Sequence, residues 1–198
     1  MDVSAARRRW GAVGLGALCA VVLLARAAPS QRQPVSQREK GAGAMLDLQL
    51  SSPAFEPDTA IPVKHTGLGA DTSPPLQWTD PPKGTAAFAI ICEDPDAPRG
   101  TWVHWVLYDL PGDLRSLEEG VPKSPDLTGS ARQGVNDFRR IGYGGPMPPP
   151  GSEHHYVFAL YALSKPTGLS PGATKVQVME AIQGKILARA ELVGTFRR

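Results

Sequence analysis

Thr101-Trp102-Val103-His104-Trp105-Val106-Leu107-Tyr108-Asp109-Leu110 is, up to Asp109, a run of β-branched, aromatic and aliphatic residues, and it has no glycine or proline inside it. That composition favours a pleated, half-buried backbone, so the run is read as a strand. Period-two alternation puts Trp102, His104, Val106 and Tyr108 on one face and Val103, Trp105 and Leu107 on the other, with Asp109 ending the register and Pro111-Gly112 turning the chain. Phe88-Ala89-Ile90-Ile91-Cys92 and Tyr156-Val157-Phe158-Ala159-Leu160-Tyr161-Ala162-Leu163 have the same character. Both faces of these strands are apolar or aromatic. The sheet they form is therefore covered on both sides or packed against a second sheet.

Around these strands the chain is punctuated rather than periodic. Pro53, Pro57, Pro74, Pro75, Pro81 and Pro82 forbid long helices before Lys83. Met45 to Leu50 alternates well enough for a first strand, and Ile61 to Thr66 reads as a short extended piece. One short helix is expected late in the chain: Thr174 caps it with Gln177 at the third helical position, Val178, Ile182 and Ile186 share a stripe, and Gly184 weakens its end. Leu187 to Phe196 returns to strand. The expected class is mainly β, with proline-rich loops, little helix and no internal repeat.

The 198 residues, 41% apolar and 20% charged, suffice for one globular domain. The formal net charge of +2 is misleading, because Arg7, Arg8, Arg9 and Arg26 sit in a head segment whose only acid is Asp2. From Met45 onward 14 Lys+Arg face 17 Asp+Glu, which makes the body mildly acidic and argues against a nucleic-acid footprint. The head places Arg7-Arg8-Arg9 before the uncharged run Trp10 to Ala25 and the small-x-small site Ala25-Arg26-Ala27, the layout of a signal peptide over residues 1–27. Export to a periplasm or the cell exterior is the reading it favours. The alternatives are an uncleaved membrane anchor through residues 10–27, with Arg26 snorkelling to the interface, and lipid modification at Cys19. Residues 28–44 are rich in Gln, Arg, Ser, Pro and Gly and read as a flexible linker, so the domain is assigned to 45–198. Without the head only Cys92 remains, and its strand position makes it a small buried hydrophobe.

Two stretches carry chemistry. Glu93-Asp94-Pro95-Asp96-Ala97-Pro98 ends the apolar run at Cys92 with two carboxylates and two prolines, so Asp94 and Asp96 sit in a rigid turn at a strand mouth. His104 lies between tryptophans on the neighbouring run, where it is either a satisfied core histidine or a pocket-floor donor to an Asp or a bound anion. His65, next to Lys64, reads as a surface or structural residue. Tyr143-Gly144-Gly145-Pro146-Met147-Pro148-Pro149-Pro150-Gly151-Ser152-Glu153-His154-His155-Tyr156 combines glycines that let amides approach a ligand with prolines that fix the loop beforehand. His154 and Tyr156 point the same way at a strand start. As composition alone, the same stretch also fits a proline-rich loop ordered by aromatic packing.

Ser73-Pro74-Pro75-Leu76 with Trp78, Asp94-Pro95-Asp96-Ala97-Pro98, Trp102-Val103-His104-Trp105, Gln133-Gly134 with Asn136-Asp137-Phe138, and Tyr143-Gly144-Gly145-Pro146 through His154 and Tyr156 stand in the order that resembles the phosphatidylethanolamine-binding protein family. The likeness runs from Met45 to about Phe196 and points to the bacterial branch, the Raf-kinase-inhibitor-like proteins. It implies a large central antiparallel sheet flanked by a smaller sheet, with short C-terminal helical structure. It further implies an anion pocket formed by Asp94, Pro98, His104, Gly145, Pro146, His154 and Tyr156, with Asp96 holding the turn and His155 as a second supporting residue. Four features depart from the family's pattern: Met147 stands where a cysteine is frequent, His155 where an arginine is usual, and Arg139 where a small residue is common, and the approach to His154 is one residue longer. That extra residue leaves open whether His154 or His155 faces the pocket, since a one-residue shift reverses the face.

Non-catalytic binding of a small anion or phospholipid head group, phosphate or phosphoethanolamine-like, follows from this reading, with a protein-inhibitor or regulatory role toward an unidentified target as a further implication. The alternative is a hydrolase in which Asp94 and His104 activate water. No tight metal-ligand spacing is present in the sequence, so neither cofactor nor metal is expected. The head segment yields the first prediction: protein recovered from its host and analysed by intact-mass spectrometry will lack about the first 27 residues, and an intact Met1 terminus in the soluble cytoplasmic fraction would contradict export.

Overall fold

The computed structural model describes residues 48–198. The expected signal or anchor at 1–27, the linker at 28–44 and the first residues of the expected strand from Met45 lie outside the described residues. In chain order the strands are β1 (Leu50–Ser51), β2 (Thr59–Ala60), β3 (Leu76–Trp78), β4 (Ala87–Asp94), β5 (Trp102–Pro111), β6 (Ser116–Leu117), β7 (Arg132–Gln133), β8 (Glu153–Leu163) and β9 (Ile186–Arg197), with one helix, α1 (Lys175–Ala181), before β9. Six strands form a large sheet in the order β2-β9-β8-β4-β5-β7, antiparallel except for the short parallel β2–β9 pair, and β1-β3-β6 form a smaller sheet. The fold is mainly β, as the alternating runs require.

Each face of the large sheet buries its own cluster. Phe88, Ile90, Trp105, Leu107, Phe158, Leu160 and Leu192 pack with Leu50, Leu76 and Trp78 of the small sheet. On the opposite face Ala89, Ile91, Val106, Tyr108, Tyr161 and Leu163 pack with Val178 and Ile182 at α1. Two-sided burial explains why β4 and β8 show no polar face: a strand in the middle of a covered sheet has no side left for water. The Thr174–Gln177 capping box forms as read, but the stripe stops at Ile182, and Ile186 is exposed at the start of β9.

Two expectations about local backbone are corrected. Val63–His65 is a turn of 3₁₀ helix, not an extended piece, and His65 is 2% exposed, so it is no surface residue. Its Nδ1 donates to the Thr72 carbonyl at 2.9 Å, and its own carbonyl accepts from the Tyr143 hydroxyl at 2.8 Å. The second correction concerns β5, which does not alternate cleanly. Cys92 pairs with Trp105 while Glu93 pairs with Val103, so His104 is an extra residue, a bulge that brings its side chain to the same side as Trp105 and Leu107. Val103, Val106 and Tyr108 face the other way.

A second irregularity lies between the Phe88–Leu110 and Ile90–Leu107 pairs, and there Asp109 takes a φ of 58° inside the strand rather than ending it. Its buried carboxylate accepts from the Thr167 amide at 2.6 Å and from the Thr167 hydroxyl at 2.8 Å, tying the segment that leads to α1 onto the sheet. Asp109→Ala strands both donors and leaves a methyl-bearing residue in the left-handed region. The expected cost is about 2–4 kcal/mol in urea unfolding, with Asp109→Asn losing clearly less.

Candidate functional site

The C-terminal end of β4 and the N-terminal ends of β5 and β8 meet at one end of the large sheet, where Asp94 pairs with Trp102 and Glu93 with Val157. Beside them lies a cavity of about 390 Å³. Its walls carry Asp94, Trp102, His104, His154 and Tyr156 from the strands, Ala97, Pro98 and Arg99 from the β4–β5 turn, and Phe138, Met147, Pro148, Pro149 and Arg198 from elsewhere. Residues far apart in sequence, at 94, 104 and 154–156, are therefore neighbours because three adjacent strands end together.

His104 owes its position to the bulge. Its ring stands edge to face with Tyr156, centroids 5.1 Å apart, and with Phe138 at 5.2 Å. A carbonyl can only accept, so the 2.5 Å contact with Gly144 O places the proton on Nδ1 and leaves Nε2 without a protein partner. Burial lowers the pKa of His104, outweighing the Gly144 carbonyl and the Asp94 charge that act the other way. The Gly144 amide returns a bond to the His104 carbonyl at 2.9 Å. A Cβ on Gly144 would stand 2.7 Å from the Phe138 ring, so only glycine can hold this double clamp without moving that wall.

The Asn-Asp-Phe block fastens the same region. Asp137 accepts the Val103 amide at 2.7 Å, Asn136 donates to the Gly142 carbonyl at 2.8 Å, and Phe138 packs edge-on to Trp102 at 5.4 Å. Gln133, just upstream, accepts from Trp105 Nε1 at 2.7 Å.

On β8 the alternation resolves the competition between the two histidines. His154 is buried and its Nδ1 donates to Asp94 Oδ2 at 2.7 Å, whereas His155 is half exposed on the other side. Asp94 Oδ1 accepts the Asp96 amide at 2.8 Å and closes the turn from within. Asp96 holds the turn from the other side: it reaches across to β8 and accepts from both the amide and Nδ1 of His155 at 2.8 Å. The bond from Asp96 raises the pKa of His155, and the same bond lowers that of Asp96.

Two buried donors in the cavity wall have no hydrogen-bond partner, Trp102 Nε1 and the Tyr156 hydroxyl. Burial, and then the charge of Asp94, push the Tyr156 phenol well up, while the Met147 backbone, near but outside hydrogen-bond geometry, pulls weakly the other way. The hydroxyl therefore stays protonated and able to donate. Arg99 and Arg198 line the same wall, and neither makes an ion pair among the described residues.

Gly145 and Pro146, expected on the rim, are not among the lining residues. The Gly145 amide is taken by Asp71 Oδ1 at 2.6 Å, and the Pro146 carbonyl by the Gly67 amide at 2.9 Å. A Cβ on Gly145 would lie 2.6 Å from the His65 carbonyl oxygen, so this glycine serves close packing. Arg99, Trp102, Phe138, Met147 and Arg198 are wall residues outside the set expected from the sequence. Only the pairing of His154 with Phe196, which carries the end of β9 to the mouth, and the 2.8 Å bond from the Gly151 amide to the Arg198 carbonyl bring Arg198 there. No sequence spacing announces it. Cys92 is buried and its thiol is pushed up by that burial, the small hydrophobe it was read as. Among the described residues no cluster of three metal-ligating side chains occurs.

Comparison with known proteins places these features in a family. The sequence model described as "Phosphatidylethanolamine-binding protein" matches residues 51–197. A "UPF0098 protein" of Aquifex aeolicus is 46% identical over 153 residues, 76% of this chain and 89% of that protein, and one of Methanothermobacter thermautotrophicus is 44% identical over 76% of this chain and 99% of its own length. Among solved structures, a phosphatidylethanolamine-binding protein homologue from Chlamydia trachomatis superposes with a TM-score of 0.70 at 38% identity, covering 77% of this chain and 98% of that one. Escherichia coli YbcL, described as a member of the mammalian family, gives 0.72 at 30% identity, covering 77% and 99%. The chain belongs to the phosphatidylethanolamine-binding protein family.

The opposed shifts of two histidines are directly measurable. In an NMR titration the His104 imidazole will titrate below a free imidazole and His155 above it, the signals being assigned by loss in His104→Gln and His155→Asn. Folding stability then carries opposite signs. The His104 contribution is complete above the unfolded-state imidazole pKa and falls as the solution is acidified, whereas the His155 contribution is complete below that pKa and is lost as pH rises through its raised value.

Proposed function

We propose that the cavity binds a small oxyanion, as phosphate, a phosphate monoester or the phosphate of a phospholipid head group, and releases it unchanged. The observation that carries this reading is the pair of donors, Trp102 Nε1 and Tyr156 Oη, buried in one cavity wall without acceptors. An unpaired buried donor costs about 1–3 kcal/mol, and an oxyanion is the ligand that satisfies several at once. Arg99 and Arg198 favour negative charge, and the two free Nε2 atoms, of His104 and His154, accept a proton from a ligand or become donors once protonated.

The hydrolase alternative required Asp94 and His104 to act as a pair. Asp94 instead spends Oδ2 on His154 and Oδ1 on the turn amide, and His104 spends Nδ1 on a carbonyl. Among the described residues that line the cavity there is no serine or cysteine to act as a nucleophile. The name shared by the family's sequence model adds a phospholipid head group to the ligands worth testing.

Titration calorimetry with phosphate, acetate and phosphoethanolamine tests the proposal. Tyr156→Phe keeps the ring and removes one charge-assisted hydrogen bond, which is expected to weaken phosphate by about 1.5–3 kcal/mol, or about ten- to over a hundred-fold. Burial favours the neutral form of His104, so an anion bound beside it will favour uptake of a proton and affinity will rise as pH falls, measured with sulfate, whose own charge is constant there. Equal phosphate affinity in wild type and Tyr156→Phe, or saturable turnover of a phosphate or carboxylate ester lost in His154→Asn, would overturn the reading.

A further inference from the structure

Phe138 and Met147 are walls on both sides. They line the cavity described above and also a second one of about 370 Å³, whose remaining lining is Gly67, Asp71, Arg140 and Gly145. The Arg140 guanidinium lies over the Phe138 ring, 5.2 Å from its centroid, while the His104 ring lies 5.2 Å from the same centroid. Their separation therefore cannot exceed twice that distance, roughly the reach of three extended residues.

The charges of the second cavity are unbalanced. Asp71, the one acid among its described lining residues, has Oδ1 engaged by the Gly145 amide at 2.6 Å and Oδ2 by Lys123 at 2.5 Å. Arg140 makes no ion pair among the described residues, and stacking on Phe138 holds its fork in place without using its donors on a carboxylate. A planar guanidinium fixed in this way is suited to a second carboxylate or phosphate. The partition between the cavities is not rigid, because Met147 is 45% exposed and a thioether side chain repacks easily around a ligand.

Resting on the oxyanion reading of the first cavity, we infer that the two cavities form one bipartite site for a small doubly anionic ligand, with a phosphate or phosphonate group at His104, His154 and Tyr156 and a second anionic group at Arg140 across the Phe138–Met147 partition. Arg140 is then a specificity residue that selects among phosphate-bearing molecules by what they carry at their other end.

The test compares ω-phosphonocarboxylates of three to five methylenes with n-alkylphosphonates of equal carbon number, titrated calorimetrically into the wild-type protein and into Arg140→Gln. At one chain length or more the terminal carboxylate is expected to tighten binding roughly three- to ten-fold in wild type, and that advantage is expected to fall to about one-fold in Arg140→Gln. The ratio between the paired ligands is the readout, so any general loss of affinity in the variant cancels. Alkylphosphonates that bind while the carboxylate adds nothing, or an advantage that survives Arg140→Gln, would overturn the bipartite site and leave the first cavity's reading intact. Failure of every phosphonate to bind wild type would overturn both.

Discussion

The arrangement depends on one extra residue in β5. Because His104 bulges out of register between Val103 and Trp105, two consecutive side chains face the same core, and an imidazole comes to rest against Tyr156 and Phe138 instead of on the opposite face of the sheet. A bulge leaves backbone groups unpaired and needs outside support. Here Gly144 supplies it twice, accepting from the His104 ring and donating to its carbonyl, and Asp137 supplies it a third time at Val103. Those supports come from the 133–145 segment, which explains why a stretch that contributes few atoms to the cavity surface matters to its shape.

The electrostatics follow from the same geometry. Two histidines pair with two aspartates in parallel, Asp94 with His154 inside and Asp96 with His155 outside, and the different surroundings divide their roles. The inner pair lies in the cavity wall, with Nε2 of His154 not engaged by a hydrogen bond among the described residues. The outer pair fastens the turn that carries Ala97, Pro98 and Arg99 to the start of β8, so that wall is held by an interaction exposed to solvent and sensitive to pH. His104 stands apart, bonded to a carbonyl, with burial lowering its pKa. Among the described lining residues Asp94 is the only acidic one, and both of its carboxylate oxygens are already engaged.

Much of this was legible in the residues. Alternating apolar runs at 88–92, 101–110 and 156–163 gave the sheet, and Thr174 with Gln177 gave the helix start, because these signals are local. The proximity of Asp94, His104, His154 and Tyr156 was legible only through the family likeness, since nothing local states that β4, β5 and β8 end side by side. The bulge was illegible: strict alternation assigned His104 to the face of Val106 and Tyr108, and a register shift of one residue is decided by the partner strand and by Gly144. Gly145 lies off the wall of the first cavity for a related reason. A glycine that admits a ligand and a glycine that admits another backbone have the same sequence signature, and here the backbone of His65 fills the space. Arg198 had no signature at all, its place being set by the length and register of β9.

A crystal structure of the protein grown with phosphoethanolamine tests the central claim most directly. The account predicts phosphate oxygens within hydrogen-bond distance of Tyr156 Oη and of Nε2 of His104 and His154, with the Asp94–His154 and His104–Gly144 bonds preserved. Phosphate bound elsewhere, or bound only after the His104 bulge has rearranged, would contradict it.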